Sequence, residues 1–288
     1  MESSFLTAVF LPLALFIVML GMGLGLKPGD FTRVWLYPKA VLVGLFAQVV
    51  MLPVVGFVLA SIFPLTPELA VGVMVLAACP GGPTSNMVTY LAGGNVALSI
   101  TLTAISSLIT VLTIPLVVNL AMGAFLGESA LLQLPFLSTV LQIAVITVIP
   151  VAVGMVLHRY LPQFATRAER GVKWLSLFLL GLIIVGLLVQ QRANVMAFFA
   201  QVGLVTLALN VAAMALGYLI ATLARLDRPS STAITVEVGI QNGTLAIAIA
   251  SAPSLLNQPT LAIPAAIYSL LMFVTGGIFA AWAARQGD

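Results

Sequence analysis

One carboxylate and its polar neighbours are the residues of this sequence best suited to bind an ion within a membrane. Glu237 is the only acidic or basic side chain in the interior of a long apolar run, away from its ends. Placing a carboxylate at bilayer depth costs about 2.5–3.5 kcal/mol unless a partner compensates. Gln241 and Asn242 follow it, between Gly239 and Gly243, and no lysine or arginine lies in the same run. A bound cation or substrate is therefore its predicted partner.

Neutral oxygen-bearing side chains in other apolar runs could complete such a site. They are Gln48, Ser85, Asn86, Asn95, Ser99, Thr103, Ser106 and Ser107. Na⁺ is a hard cation that takes oxygen ligands, and transporters supply some of them as carbonyls freed at helix breaks. Other roles stay open, because Ser and Thr hydroxyls can bond a carbonyl one turn back. Asn95 can cap a helix, and Gln48 can join two helices.

The composition predicts an all-α, polytopic membrane protein. Of 288 residues, 61% are hydrophobic and 7% are charged, whereas soluble domains carry about 25% charged residues. The net charge of +3 comes from basic residues in connecting segments and predicts no nucleic-acid binding. The single cysteine, Cys79, excludes an intramolecular disulfide.

Apolar runs of about 20 residues predict nine transmembrane helices. They cover residues 5–25, 38–62, 68–92, 96–123, 131–159, 172–191, 196–224, 230–254 and 260–284. We expect the first run to be a retained span, because no basic segment precedes it. The connections are short, so residues 1–288 are expected to form a single transmembrane transporter domain without a soluble module.

The basic residues predict the orientation. In a nine-span layout ten of the 11 Lys and Arg residues lie on one side, and Arg192 lies on the other. The ten are Lys27, Arg33, Lys39, Arg159, Arg167, Arg170, Lys173, Arg225, Arg228 and Arg285. By the positive-inside rule this predicts an N-terminus outside and a C-terminus in the cytoplasm. The expected location is a bacterial inner membrane, with the N-terminus in the periplasm.

Two of the spans are predicted to be broken helices. Pro80-Gly81-Gly82-Pro83 interrupts the third span, and Gly239 and Gly243 flank polar residues in the eighth. Proline removes a backbone donor and glycine weakens a helix, so both segments should interrupt their spans. At about 1.5 Å of rise per residue, both breaks fall near the middle of a hydrocarbon core about 30 Å thick. Spans one to four correspond in order to spans six to nine, and the fifth connects them. This predicts an inverted repeat with its binding site at the breaks.

Four motifs resemble the bile acid:sodium symporter family over essentially the whole chain. They are Gly-Met-Gly-Leu-Gly-Leu-Lys-Pro (21–28), Cys-Pro-Gly-Gly-Pro-Thr-Ser-Asn (79–86), Gly-Asn-Val-Ala-Leu-Ser (94–99) and Glu-Val-Gly-Ile-Gln-Asn (237–242). The resemblance implies crossing of the broken helices. It also implies a core subdomain at about 38–123 and 196–284, and a panel subdomain at about 5–25 and 131–191.

The resemblance also implies two Na⁺ sites that share Glu237. Its first site falls on Ser85, Asn86, Ser99, Thr103 and Glu237. Its second falls on Gln48, Glu237 and Gln241 with the carbonyls of Val238 and Ile240. Substrate is expected near Pro83, Thr84 and Asn242. Pro83, and Met272 with Phe273, depart from polar residues that some members carry there, which predicts a less polar pocket or a different anion.

The predicted function is Na⁺-coupled import of a small organic anion by alternating access. Bile acid-like compounds, pantoate-like hydroxy acids and 2-oxo acids all fit. No protein partner is predicted. Proton coupling through Glu237 is the main alternative, and an arsenite-efflux carrier would require Cys79. A passive channel and a sensory module are further alternatives. An enzyme is not expected, because no base at membrane depth could activate Ser85.

Overall fold

The computed structural model describes residues 9–127, 135–190 and 195–286, and these ranges are helical with no strand. The helices are α1 Leu11–Leu24, α2 Pro28–Thr32, α3 Pro38–Phe46, α4 Leu52–Ile62, α5 Pro67–Ala78, α6 Pro83–Leu91, α7 Val96–Leu126, α8 Phe136–Tyr160, α9 Pro162–Gln190, α10 Val195–Leu223, α11 Arg228–Gly239, α12 Gly243–Ser251 and α13 Ile263–Arg285. A π-helical turn, Ala47–Met51, joins α3 to α4. Glu2, Glu128, Arg192 and Asp288 lie outside the described residues, as do the starts of the predicted spans 5–25 and 131–159.

Six helices of the described ranges are long and apolar enough to cross a membrane. They are Pro38–Ile62, Val96–Leu126, Phe136–Tyr160, Pro162–Val189, Met196–Leu223 and Pro259–Arg285. A seventh span results if α1 and the segment Pro28–Trp35, bent by 75°, are counted together.

The start of α9 corrects one predicted boundary. The sequence places a connecting segment before residue 172, whereas the helix begins at Pro162. The basic residues Arg167 and Arg170, together with Glu169, therefore lie on the helix. A search for apolar runs misses this start because the first turns of the helix carry polar side chains. Pro162 was a usable signal, since proline is favoured at the first helical position.

The side chains are distributed as in a membrane protein. Large apolar residues of the long helices are exposed, among them Leu120 (74%) on α7 and Ile278 (67%) on α13. Polar side chains such as Gln48 and Thr103 are buried at 2% and 1% exposure. Because a soluble protein covers its surface with charge, this arrangement indicates that lipid surrounds the helices.

Both predicted helix breaks are present. Helix α5 ends before Cys79, which is extended because a proline follows it, and α6 begins at Pro83. Helix α11 ends at Gly239 and α12 begins at Gly243. Cys79 N and Ile240 N still donate to Leu76 O and Val236 O at the ends of α5 and α11, and the residues after them leave the helical pattern.

The two breaks satisfy each other's backbone. Gly81 and Gln241 form an isolated antiparallel bridge. Gly82 N donates to Ile240 O at 3.1 Å, and Asn242 N donates to Pro80 O at 2.9 Å. Irregular backbone at membrane depth is tolerated only when it is buried and paired in this way. The pairing brings two segments that are distant in sequence to one point, which is the arrangement found at the binding sites of transporters with discontinuous helices.

The helices pack in overlapping groups, and α8 contacts both α7 and α9. Helix α1 packs mainly against α8 and α9, whereas α10 packs against α11 and α13, and α5 packs against α4 and α7. Helices α1 and α8 approach closely at Gly23, where an added Cβ would overlap the Val151 carbonyl. Small residues of this kind allow membrane helices to touch through their backbones.

Candidate functional site

The Glu237 carboxylate lies in a cage of hydroxyl groups beside the breaks. Ser85 Oγ donates to Glu237 Oε2 at 2.7 Å, and Thr103 Oγ1 donates to Oε1 at 2.7 Å. Ser99 Oγ lies 3.3 Å from Oε2. All four side chains are at most 1% exposed. These hydroxyls come from α6 and α7, so three separate helices converge on one carboxylate.

Asn86 and Thr89 extend this cage on α6. Ser99 Oγ donates to Asn86 Oδ1 at 2.8 Å and accepts from Thr89 Oγ1 at 3.3 Å. The structure thus brings together all five side chains predicted for the first Na⁺ site, and adds Thr89. Thr89 is fully buried and one turn from Ser85 and Asn86, a helical spacing that could have flagged it.

No cation of the protein balances this carboxylate within the described part of the chain. The two ion pairs found there are Arg33–Asp30 and Lys173–Glu169. A buried charge requires a partner or a dense set of hydrogen bonds. Glu237 has the second and lacks the first, which is the electrostatic setting of a site that binds a small cation among oxygen atoms.

The side chains predicted for the second site form a neighbouring amide cluster. Gln48 Nε2 donates to Gln241 Oε1 at 2.8 Å and to Cys79 O at 2.9 Å. Gln241 Nε2 donates to Val238 O at 2.6 Å. Ile240 O accepts from the opposite break, as described above. The hydrogen bonds of Glu237 found in the described ranges go to the first set and not to these amides.

Two residues that contact the end of α11 were not selected in the sequence analysis. Asn210 Nδ2 and Tyr268 Oη both donate to the Gly239 carbonyl at 2.8 Å. They lie on α10 and α13 and satisfy a carbonyl that the break leaves without a helical donor. Asn210 could have been noticed as a lone amide in an apolar run, by the reasoning that selected Gln48.

Other polar candidates have local structural roles. Asn95 caps α7 through Leu98 N at 3.0 Å, as one prediction allowed. Ser106 Oγ and Ser107 Oγ both donate to the Thr103 carbonyl, at 3.3 and 2.6 Å, and have no hydrogen bond to Glu237 among the described residues. The positions 99 and 103 therefore face Glu237, whereas these two serines bond their own helix.

A cavity of about 320 Å³ adjoins the hydroxyl cage. Its lining includes Asn86, Thr103 and Gln241 from the ion-binding candidates. The opposite side is formed by α1 and α9, and most of the wall is apolar. This volume lies at the small end of the range for pockets that bind small molecules. The candidate ion ligands and the cavity thus share residues.

Four of the five residues predicted to contact substrate line this cavity. Pro83, Thr84, Asn242 and Met272 do so, whereas Phe273 is not part of the lining and packs partly buried against the apolar core. Neighbouring residues of a helix point about 100° apart, so α13 can direct only one of this pair toward the cavity.

The side chain of Asn242, which lines the cavity, has one hydrogen-bonded group and one without a partner among the described residues. Its Oδ1 accepts from Leu245 N at 3.0 Å and caps α12. Its Nδ2 is buried with no hydrogen-bond partner within the described part of the chain. A buried donor without an acceptor is costly, so this amide is suited to an oxygen atom of a ligand.

Cys79 is not placed for chemistry in the cavity. It is 1% exposed and is absent from the cavity lining. Among residues 9–127, 135–190 and 195–286, no three His, Cys, Asp or Glu side chains cluster as a transition-metal site would require. Neutral oxygen atoms around one carboxylate suit an alkali cation better than Zn²⁺ or iron.

Long apolar helices around a buried polar centre define a multi-pass membrane protein, and sequence comparison gives its family. The profile of the Sodium Bile acid symporter family matches residues 12–198. An uncharacterized sodium-dependent transporter of Bacillus subtilis (strain 168), YocS, is 32% identical over 278 residues, which cover 96% of this chain and 84% of that protein. The chain belongs to the Sodium Bile acid symporter family, as its motifs predicted.

Two plant relatives are similarly close. The probable sodium/metabolite cotransporter BASS2, chloroplastic, of Oryza sativa subsp. japonica is 31% identical over 94% of this chain. The probable sodium/metabolite cotransporter BASS1, chloroplastic, of Arabidopsis thaliana is 29% identical over 92%. The chain spans 62% and 64% of their lengths. All three relatives are named as transporters or cotransporters, and none as an enzyme.

Proposed function

We propose that this protein is a Na⁺-coupled symporter that imports a small organic anion by alternating access. The observation that carries the proposal is the sharing of Asn86, Thr103 and Gln241 between the candidate ion ligands and the cavity. An ion bound among these residues forms part of the wall that an anion meets. Binding of one then alters the affinity for the other, which is the coupling a symporter needs.

The first Na⁺ site in this proposal is the hydroxyl cage. Na⁺ binds between Glu237 and the oxygens of Ser85, Asn86, Ser99 and Thr103. The hydroxyl hydrogens that now point to the carboxylate turn away, so that the same oxygen atoms face the ion. The net charge of the carboxylate and ion together is zero, which removes the cost of a lone buried charge.

The second Na⁺ site would use the amide cluster. Gln48 and Gln241 each carry an amide oxygen, and the carbonyls of Val238 and Ile240 face the same break. Gln241 would give up its bond to Val238 O when the ion binds. Glu237 would reach this site from its other side, so that both ions share one carboxylate.

The nine-span topology is part of the same proposal. Six long helices, α1, and the two broken pairs α5/α6 and α11/α12 together make nine. The packing of α1 against α8 and α9 supports a panel subdomain, with the remaining helices as the core. The position of a broken helix third in each set of four supports the inverted repeat. Rocking of panel against core would alternate access to the cavity between them.

The same topology gives the orientation. The cavity is lined by Gly25 and Leu26 at the end of α1, and by Glu169 and Lys173 near the start of α9. These helix ends carry basic residues, which the positive-inside rule places in the cytoplasm. The cavity would then correspond to an inward-facing state in a bacterial inner membrane.

Ion replacement tests the proposed function. Purified protein in liposomes should take up radiolabelled pantoate, 2-oxoisovalerate or taurocholate when external Na⁺ is present. Replacement of Na⁺ by choline at constant pH should abolish that uptake. Uptake driven equally well by a pH gradient in choline would favour the proton-coupled alternative, in which Glu237 carries the proton. Flux that needs neither gradient would indicate a channel.

Removal of two hydroxyls should weaken Na⁺ binding without unfolding the protein. In the double variant Ser99→Ala/Thr103→Ala two oxygen atoms of the cage are lost, each worth about 1.5–3 kcal/mol when it contacts a charge. The Na⁺ concentration for half-maximal uptake should rise at least tenfold, by the order-of-magnitude conversion of such energies. The matched control is Ser106→Ala/Ser107→Ala on the same helix, which should titrate like wild type. An unaltered Na⁺ titration of the first variant would contradict its assigned role.

Loss of the single thiol should leave transport intact. Cys79 contributes its carbonyl, not its sulfur, to the contact with Gln48. Cys79→Ala should therefore keep Na⁺-dependent anion uptake within about twofold of wild type, measured in the same liposomes, because the substitution removes only a small packing group. Arsenite efflux that is lost in this variant would support the thiol-dependent alternative.

A further inference from the structure

A charged pair lies in the wall of the cavity formed by α9. Lys173 Nζ is 2.6 Å from Glu169 Oε1, one helical turn away. Both side chains line the cavity, and they are the only charged side chains among its lining residues. The pair is separate from the proposed ion ligands, which lie in the π-helical turn between α3 and α4, on α6, α7 and α11, and in the break after α11.

The Lys173–Glu169 pair contributes too little to the stability of α9 to explain why it lies in the cavity wall. An exposed pair four residues apart on a helix contributes only about 0.3–0.5 kcal/mol. The Lys173 side chain is 56% exposed and the Glu169 side chain is 24% exposed. Lys173 can therefore exchange its partner at small cost, because neither group is locked by burial.

Glu169 is held at the carbonyl end of α1. A Cβ added at Gly25 would lie 3.0 Å from Glu169 Oε1, which places this carboxylate directly against the α1 C-terminus. The helix dipole makes that end unfavourable for an anion. Lys173 offsets the effect and leaves Glu169 as a counterion that is easily displaced by a stronger one.

Another part of the cavity lining offers a different contact. It includes the α12 N-terminus and Asn242, whose buried Nδ2 is a hydrogen-bond donor without a partner among the described residues. Apolar side chains such as Met22, Leu177 and Met272 also line the cavity. The lining therefore combines a neutral donor, an apolar surface and a cation.

We infer that Lys173 is the cationic contact for the transported anion and that Glu169 is the counterion it exchanges. The inference rests on the proposed function and specifies its substrate class. That substrate is an organic anion with an apolar body, an anionic group that meets Lys173 and an oxygen acceptor that meets Asn242. When it enters, Lys173 turns from Glu169 to the anionic group. Glu169 thus lowers the affinity for the anion and eases its release.

Substitutions of the two partners should have opposite effects. Lys173→Gln removes the cation and should raise the KM for the anion about two- to fivefold, the range for one partly exposed charge contact. Glu169→Gln removes the competitor and should lower the KM by about two- to fivefold on the same basis. The Na⁺ concentration for half-maximal uptake should stay unchanged in both. Arg167→Gln, an equal change of charge on an exposed part of α9 that does not line the cavity, should behave like wild type.

The test is uptake of pantoate, 2-oxoisovalerate and taurocholate into liposomes at saturating Na⁺ and constant ionic strength. Opposite shifts of KM in the two variants support the inference. Shifts in the same direction would reveal a merely structural pair and overturn it, and so would KM values within experimental error of wild type in both. Wild-type protein that shows no Na⁺-dependent uptake of any of these anions would instead overturn the proposed function, and the inference with it.

Discussion

Glu237→Gln abolishes Na⁺-dependent anion uptake while the protein stays folded. The substitution keeps the size of the side chain and removes the one charge that faces the hydroxyl cage. Loss of a buried charged partner costs about 3–5 kcal/mol of interaction with the ion. That corresponds to a loss of Na⁺ affinity of at least a hundredfold, on the order given by standard affinity arithmetic. Uptake into liposomes at physiological Na⁺ should fall to the level measured in choline.

The folded state should tolerate this change. Ser85, Ser99 and Thr103 are hydroxyl groups that can either donate or accept, so they can adapt to an amide. A neutral side chain also removes the cost of burying a charge when Na⁺ is absent. The unfolding temperature without Na⁺ should therefore be equal to or above that of wild type, and Na⁺ should no longer raise it.

A matched control separates the charge at this position from charge in general. Glu68 lies in the first turn of α5 and is exposed. Glu68→Gln makes the same chemical change outside the site and should leave uptake and its Na⁺ dependence unaltered. Glu237→Gln protein that imports anion with an unchanged Na⁺ titration would contradict the role of Glu237 as an ion ligand.

Gly81→Ala should also impair coupling, although it changes no charge. Gly81 lies in the first break, and an added Cβ would overlap Oε1 and Cδ of Glu237. The carboxylate cannot move aside freely, because Ser85 and Thr103 hold it at 2.7 Å. Overpacking of this kind costs about 1–3 kcal/mol. We expect the Na⁺ concentration for half-maximal uptake to rise about tenfold, as such an energy implies.

The control for this variant is a glycine with free space. Gly277 lies in α13, and nothing lies within 4 Å of a Cβ built on it. Gly277→Ala should keep the wild-type Na⁺ dependence and should slightly stabilise its helix, since alanine is the better helix former. If Gly81→Ala titrated with Na⁺ like Gly277→Ala, the close contact between the first break and Glu237 would have no functional meaning.

Local chemistry made much of this site predictable. Prolines and glycines at 80–83 and 239–243 cannot continue a helix, and both breaks lie there. A carboxylate in an apolar run needs polar neighbours, and Ser85 and Thr103 were selected as hydroxyls in similar runs. Membership of the family followed from motifs that hold these residues.

Contacts that depend on tertiary packing were harder to predict from the sequence. Asn210 and Tyr268 meet the Gly239 carbonyl only because α10 and α13 pack beside α11. The rotation of α13, which turns Met272 and not Phe273 toward the cavity, depends on neighbouring helices. The early start of α9 was missed because its first turns are polar. For the same reason the position of Glu169 in the cavity wall was not predicted.

Direct binding of ²²Na⁺ to purified protein tests the central claim, that Glu237 is the ligand through which Na⁺ couples to the anion. Wild type and Glu68→Gln should show saturable binding that unlabelled Na⁺ displaces and choline does not. Glu237→Gln should show no saturable binding, because the carboxylate that both proposed sites share is gone. Saturable ²²Na⁺ binding by Glu237→Gln with wild-type affinity would contradict the claim.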